Sequence, residues 1–162
     1  VFRVSLFEAI FTILITVLAV YLFNFEEGLI AVNYNNVKEP LLNSNFEKVL
    51  PWMNVGWFAS IALNIFYAFK RKKNLTTKTL ELVHGIFSAI VLFLLATGEI
   101  FNQVIIDGYN IAFIPKISKY VFAFIALAII LASIVDYIKL FINLDQLEKL
   151  DKKNKEAKFR RH

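Results

Sequence analysis

No cysteine occurs anywhere in this chain, so disulfides, thiol redox chemistry and thiolate metal sites are excluded together. Histidine is almost as scarce: only His84 and His162 are present, and His162 is the last residue. One interior imidazole is too little for a zinc or haem site built within one chain, so no metal and no cofactor is expected. The catalytic signatures are missing too, since the sequence contains no HExxH, no GxSxG, no P-loop and no GxGxxG. No catalytic residue is assigned, and a membrane enzyme built on His84 ranks last among the readings below. Charge is also low. Charged residues make up 19% of the chain, against about 25% in ordinary soluble domains.

What fills the space is apolar: 58% of the 162 residues are hydrophobic and the mean hydropathy is +0.60. A spanning helix needs about 20 mostly apolar residues, because a rise of about 1.5 Å each must cross about 30 Å of hydrocarbon. Four runs qualify, at about 4–23, 49–69, 80–106 and 117–142. The expected fold is an all-α integral membrane protein, an antiparallel bundle of four transmembrane helices. Residues 1–145 would form that bundle and residues 146–162 a basic tail. A secretory leader is the competing reading of the first run, but Glu8 and the lack of a small-residue cleavage site oppose it. The chain begins at Val1 and its single methionine is Met53, which points to residues upstream of Val1.

Positive charge orients the bundle. Lys70, Arg71, Lys72, Lys73 and Lys78 lie between the second and third runs, and Arg3 precedes the first. Lys139, Lys149, Lys152, Lys153, Lys155, Lys158, Arg160 and Arg161 follow or end the fourth. Of the 18 positive residues only Lys38, Lys48, Lys116 and Lys119 fall on the other side. The positive-inside rule then places both termini in the cytoplasm of a cell membrane, as an even number of spans requires. The same placement accounts for the basic pI of about 9.4 without a nucleic acid.

The first external loop, 24–48, carries Glu26, Glu27, Glu39 and Glu47. Ser44 and Glu47 have the form of a capping box that would start the second helix, with Pro51 near a kink and Trp52 and Trp57 at the interface. Pro115 reads as the start of the fourth span. Beyond it Leu140, Leu144, Leu147 and Leu150 keep a helical spacing, so the last helix is expected to extend into the cytoplasm. Its basic end would meet anionic lipid headgroups, and its leucine face would suit a protein partner in the cytoplasm or membrane.

Two polar layers are the candidate sites. The inner layer holds Glu8, His84, Asp136 and Lys139, with Asn64 deeper, and Glu81, Thr12, Ser88 and Ser133 nearby. It is either a set of interfacial ion pairs and interhelical hydrogen bonds or a His84-centred pH or ligand switch. At equal depth, at least two of Glu8, His84, Asp136 and Lys139 are expected to touch. The outer rim is a stripe of Glu99, Gln103 and Asp107 with Asn102 beside it. It reads either as a helix end entering water or as an extracellular sensing rim. No charge falls in the middle third of the membrane, which argues against a transporter working alone.

Several short patterns carry a resemblance: Glu8, Phe23-Asn24, Pro40-Leu41-Leu42-Asn43, Leu50-Pro51, Asn64-Ile65 and Ile100-Phe101-Asn102. Over 6–102 the chain resembles the membrane portion of HAAS-domain-associated firmicute proteins. That resemblance implies a bacterial signalling or regulatory membrane module. The expected function is a non-enzymatic sensory or regulatory domain, or an accessory subunit of a membrane complex. A small immunity or transport-associated protein is the alternative.

Overall fold

The computed structural model describes residues 2–25 and 31–161. Glu26, Glu27 and His162 lie outside the described residues. Each apolar run becomes one helix: α1 Leu6–Asn24, α2 Ser44–Lys70, α3 Leu75–Thr97 and, after the short α4 Gln103–Gly108, α5 Phe113–Arg160. All four long helices are long and apolar enough to cross a membrane. Their exposed faces are apolar as well, with Phe7, Phe69, Phe93 and Phe124 all facing outward.

The helices form a row rather than a closed ring. α1 packs on α2, α2 on α3 and α3 on α5, while among the described residues α1 has no substantial interface with α3 or α5. Neighbours run antiparallel. Asn24 at the end of α1 exchanges two side-chain hydrogen bonds of 2.8 Å with Asn54, whereas Ala9 at its start packs beside Tyr67. Between α3 and α5, Gly85 lies against Ser133, and a Cβ at residue 85 would collide with the serine hydroxyl. Thr79 and Tyr137 meet lower on the same interface, their hydroxyls 3.4 Å apart. Small residues let two helix backbones approach closely without a cavity between them.

At one end of the row a hairpin packs on α4. Strands β2 Ala31–Tyr34 and β3 Val37–Pro40 are joined by Asn35 and Asn36, both left-handed at φ 50° and 63°. Asparagine tolerates that region better than most residues, and the two-residue turn matches the twist of paired strands. Tyr109 donates to the Asn33 carbonyl at 2.6 Å, and the Tyr34 ring lies against Gly108. At the same end, Phe46, Val49, Val91, Leu95 and Ile100 form a core, joined by Phe23 of α1 and Phe122 of α5. All four long helices meet here.

The opposite end carries the basic residues. Strand β1 Phe2–Arg3 pairs with β4 Lys72–Lys73. Left-handed Arg71 tightens the corner, its Nε donating to the Val4 carbonyl at 2.9 Å. Asn74 caps α3 in a reciprocal box with Thr77, with bonds of 2.8 and 2.9 Å.

Two helix boundaries differ from the sequence-based expectation. The cap of α2 is Asn43 rather than Ser44, its Oδ1 accepting from Asn45 N at 2.9 Å. Asn43 is also held by bonds to the 99–101 segment, which places it where a cap is needed. The third helix stops at Thr97 instead of continuing to about 106. Glu99 is left-handed at φ 49°, and Asn102 starts α4 afresh by accepting from Val104 N. Ile105 and Ile106 lengthened the apolar run, yet they are almost fully buried in α4 rather than part of a span.

Candidate functional site

The seam between α2 and α3 holds the interior polar groups. Gly56 has no side chain to shield its carbonyl, and His84 Nε2–H donates to that oxygen across the seam at 2.9 Å. The carbonyl only accepts, so this nitrogen carries the hydrogen. Bulky Phe87 fills the space over Gly56, and cavities open around His84 on several sides.

The most polar of these, about 260 Å³, lies among α1, α2 and α3 at the basic end. Glu8 and Thr12 reach it from α1, Ser60, Asn64 and Tyr67 from α2, and Glu81 and His84 from α3. One wall is an assembled group. Tyr67 OH donates to Glu81 Oε1 at 2.7 Å, and Lys73 Nζ sits 2.7 Å from the same oxygen and 5.0 Å from the centre of the Tyr67 ring. Lys78 stands 3.7 Å from the other carboxylate oxygen. Asn64 satisfies its amide on its own helix, Nδ2 donating to the Ser60 carbonyl at 2.8 Å. Thr16, Thr79 and Thr97 bond back to their own helices in the same way.

The structure therefore gathers Glu8, Asn64 and His84 around one cavity. It does not gather Asp136 and Lys139. Both are exposed on α5, and no ion pair joins them among the described residues. α5 packs along α3 and, among the described residues, has no substantial interface with α1 or α2, so equal depth alone does not bring Asp136 to Glu8. None of the contacts expected among Glu8, His84, Asp136 and Lys139 is present as a hydrogen bond or ion pair; His84 pairs with a backbone carbonyl instead.

The outer rim is arranged differently from one helical stripe. Gln103 and Asp107 pair on α4 at 2.8 Å, while Glu99 precedes that helix and offers its backbone carbonyl to Asn43 Nδ2 at 2.6 Å. Asn102 caps α4 and donates to the Pro40 carbonyl at 2.7 Å. The residues of 40–43 and 100–102 that carry the resemblance thus meet, with Asn43 N bonding Ile100 O at 2.7 Å and Asn102 N bonding Leu41 O at 2.8 Å. These bonds fasten the 40–43 and 99–102 segments to each other.

Sequence alone does not mark Tyr67 or Ser60 as site residues, and it marks Lys73 only as one of the orienting charges. Tyr67 and Glu81 nonetheless carry a legible signal, since they stand about one and two turns from a short basic loop that must bring their helices together. Among the described residues no group of side chains suits a metal ion. Compared with known protein families, curated proteins and solved structures, the chain finds no match.

Proposed function

We propose that this chain is a four-span integral membrane module with both termini in the cytoplasm. It acts as a non-enzymatic sensory or regulatory domain, or as an accessory subunit that docks a cytoplasmic partner. The observation that carries this reading is α5. It is one helix of 48 residues, about 72 Å at 1.5 Å per residue, against a hydrocarbon thickness of about 30 Å. Its first part lies along α3, and its last part stands free and charged, with the pairs Lys149–Asp145 and Lys155–Asp151 along it.

A rigid rod fixed to the helix that lines the polar seam can transmit a shift at the seam to the cytoplasm. Gly85 against Ser133 is the coupling contact. Side chains that satisfy themselves on their own helix carbonyls support a lipid setting, where water cannot do so. The basic loop and basic helix end support the cytoplasmic assignment and an attraction to anionic lipid. Leu144, Leu147 and Leu150 share a groove with Lys72, which favours a partner with an apolar face and an acidic flank. The resemblance stated from sequence favours the regulatory form.

Because the chain has no cysteine, single cysteines give a clean topology test. Asn35→Cys should label from outside and Asn74→Cys only after the membrane is opened. Labelling of both from one side would reject the topology. Pull-down from native membranes should recover a partner with the full chain and lose it when the chain stops after Ile142. Equal recovery with and without the tail would remove the docking role.

A further inference from the structure

A second cavity adjoins the polar one at His84. It holds about 330 Å³ and continues along the seam between Trp57, Met53, Phe87, Val91 and Leu92. The two cavities adjoin at Ser60 and His84, with mostly polar walls on one side and mostly apolar and aromatic ones on the other. From Ser60 to Trp52 the seam climbs about 12 Å at 1.5 Å per residue. A polar void beside an apolar one matches a molecule with a polar head and an apolar chain.

Charge selects the head. Lys73 is held on Glu81 and covers the Tyr67 ring, so it is not available to receive an anion. Glu8 is the carboxylate on the cavity wall with no ionic partner among the described residues. Around the same void Thr12, Ser60 and Asn64 offer neutral oxygens. One negative charge and several acceptors suit the three N–H donors of an ammonium group.

We propose that the α2–α3 seam binds a single-chain amphiphile with a protonated amine head. The head lies in the Glu8 cavity, and the chain passes Ser60 and His84 to lie beside Trp57. This inference rests on the membrane reading. Glu8, in the first turns of α1, would sit at the cytoplasmic boundary, so the amphiphile enters from the inner leaflet with its chain toward the bilayer centre. Occupancy would spread α2 from α3 and, through α3, displace α5, which gives the sensory module its ligand class.

The test uses the full chain in nanodiscs of neutral phospholipid, with Trp52→Phe leaving Trp57 as the sole tryptophan. Bromine-tagged dodecylamine is titrated and Trp57 quenching is read, with the tagged alcohol and carboxylate of equal length as controls. The amine should quench saturably, with an apparent affinity at least about tenfold above either control, as loss of a charge-assisted bond implies. Glu8→Gln should weaken the amine by a similar factor, and Ser60→Phe should abolish saturation. If Ser60→Phe alters the helical circular dichroism, Glu8→Lys takes its place and should abolish saturation too. Quenching that rises linearly and equally for all three probes, or that ignores Glu8→Gln, is bulk partitioning and overturns the proposal. Inserted protein with no saturable quenching also overturns it, leaving the membrane reading intact. Protein released from membranes by an alkaline wash rejects the membrane reading itself.

Discussion

The two ends of the helix row are held together by different means. At the hairpin end, side chains from all four long helices share one apolar core, and the segments 40–43 and 99–102 are laced over it by backbone and asparagine bonds. At the basic end, the buried apolar cluster is Val4, Ala9 and Tyr67, from α1, its lead-in and α2 alone. There α3 is joined to α2 through Tyr67, Glu81 and Lys73, beside a polar cavity. Close apolar packing resists deformation, since each lost contact leaves a void that nothing refills. A polar cavity can exchange water or a ligand for its own contacts at modest cost. The hairpin end is thus the anchor and the basic end the adjustable part, and α5 extends from the adjustable end.

The sharpest way to break this comparison is at Asn43. Asn43→Ala removes the α2 cap and side-chain bonds to the carbonyls of Glu99 and Phe101, at 2.6 and 3.1 Å. A lost cap and two lost hydrogen bonds should cost about 2–4 kcal/mol, seen as a large fall in thermal midpoint in detergent. A fall smaller than that of the basic-end variant below would reverse the assignment of anchor and adjustable end.

A comparison of two glycines comes next. Gly85→Ala drives a methyl into Ser133 and should destabilise by about 1–3 kcal/mol, with Ser133→Gly restoring most of it in a double-mutant cycle. Gly56→Ala meets only the edge of the Phe87 ring at 3.3 Å, a side chain that can turn aside. Its effect should stay below about 1 kcal/mol. Equal losses would mean that the α2–α3 seam is packed as tightly as the α3–α5 interface.

At the basic end, Tyr67→Phe deletes the 2.7 Å bond to Glu81 while Lys73 keeps the carboxylate paired. The expected loss is about 1–1.5 kcal/mol by chemical unfolding, less than for Asn43→Ala. The smallest effect belongs to the rod. The Lys149–Asp145 pair is exposed to solvent on both partners, and such pairs contribute little. Asp145→Asn should leave the thermal midpoint unchanged, and a clear fall would show that the extension is packed against something in the assembly tested.

Several features are legible in the sequence. Apolar runs mark helices because hydrogen-bonded backbone and apolar side chains are one solution to one problem, and α1, α2, α3 and α5 all lie where those runs fall. The leucine spacing after residue 140 announced the extension of α5. The hairpin was less visible, although Asn35-Asn36 between Tyr34 and Val37 is the kind of pair that favours a left-handed two-residue turn. The stop at Thr97 is hidden because hydropathy counts Ile100, Ile105 and Ile106 without saying whether they continue α3 or are buried in a separate short segment.

By itself the sequence determined the number of long helices, their length and apolarity, and the unequal distribution of positive charge between the two ends. Those follow from local composition, which acts residue by residue along the chain. Only the tertiary structure decided that Glu8, Asn64 and His84 share a cavity while Asp136 and Lys139 stand apart. Depth along a helix can be counted from sequence. The rotation of each helix, and the choice of which helices are neighbours, depend on how side chains of different helices fit against one another. Gly85 fits under Ser133 and Gly56 fits under Phe87, so α3 turns one flank to α5 and another to α2, and the polar residues go where that leaves them.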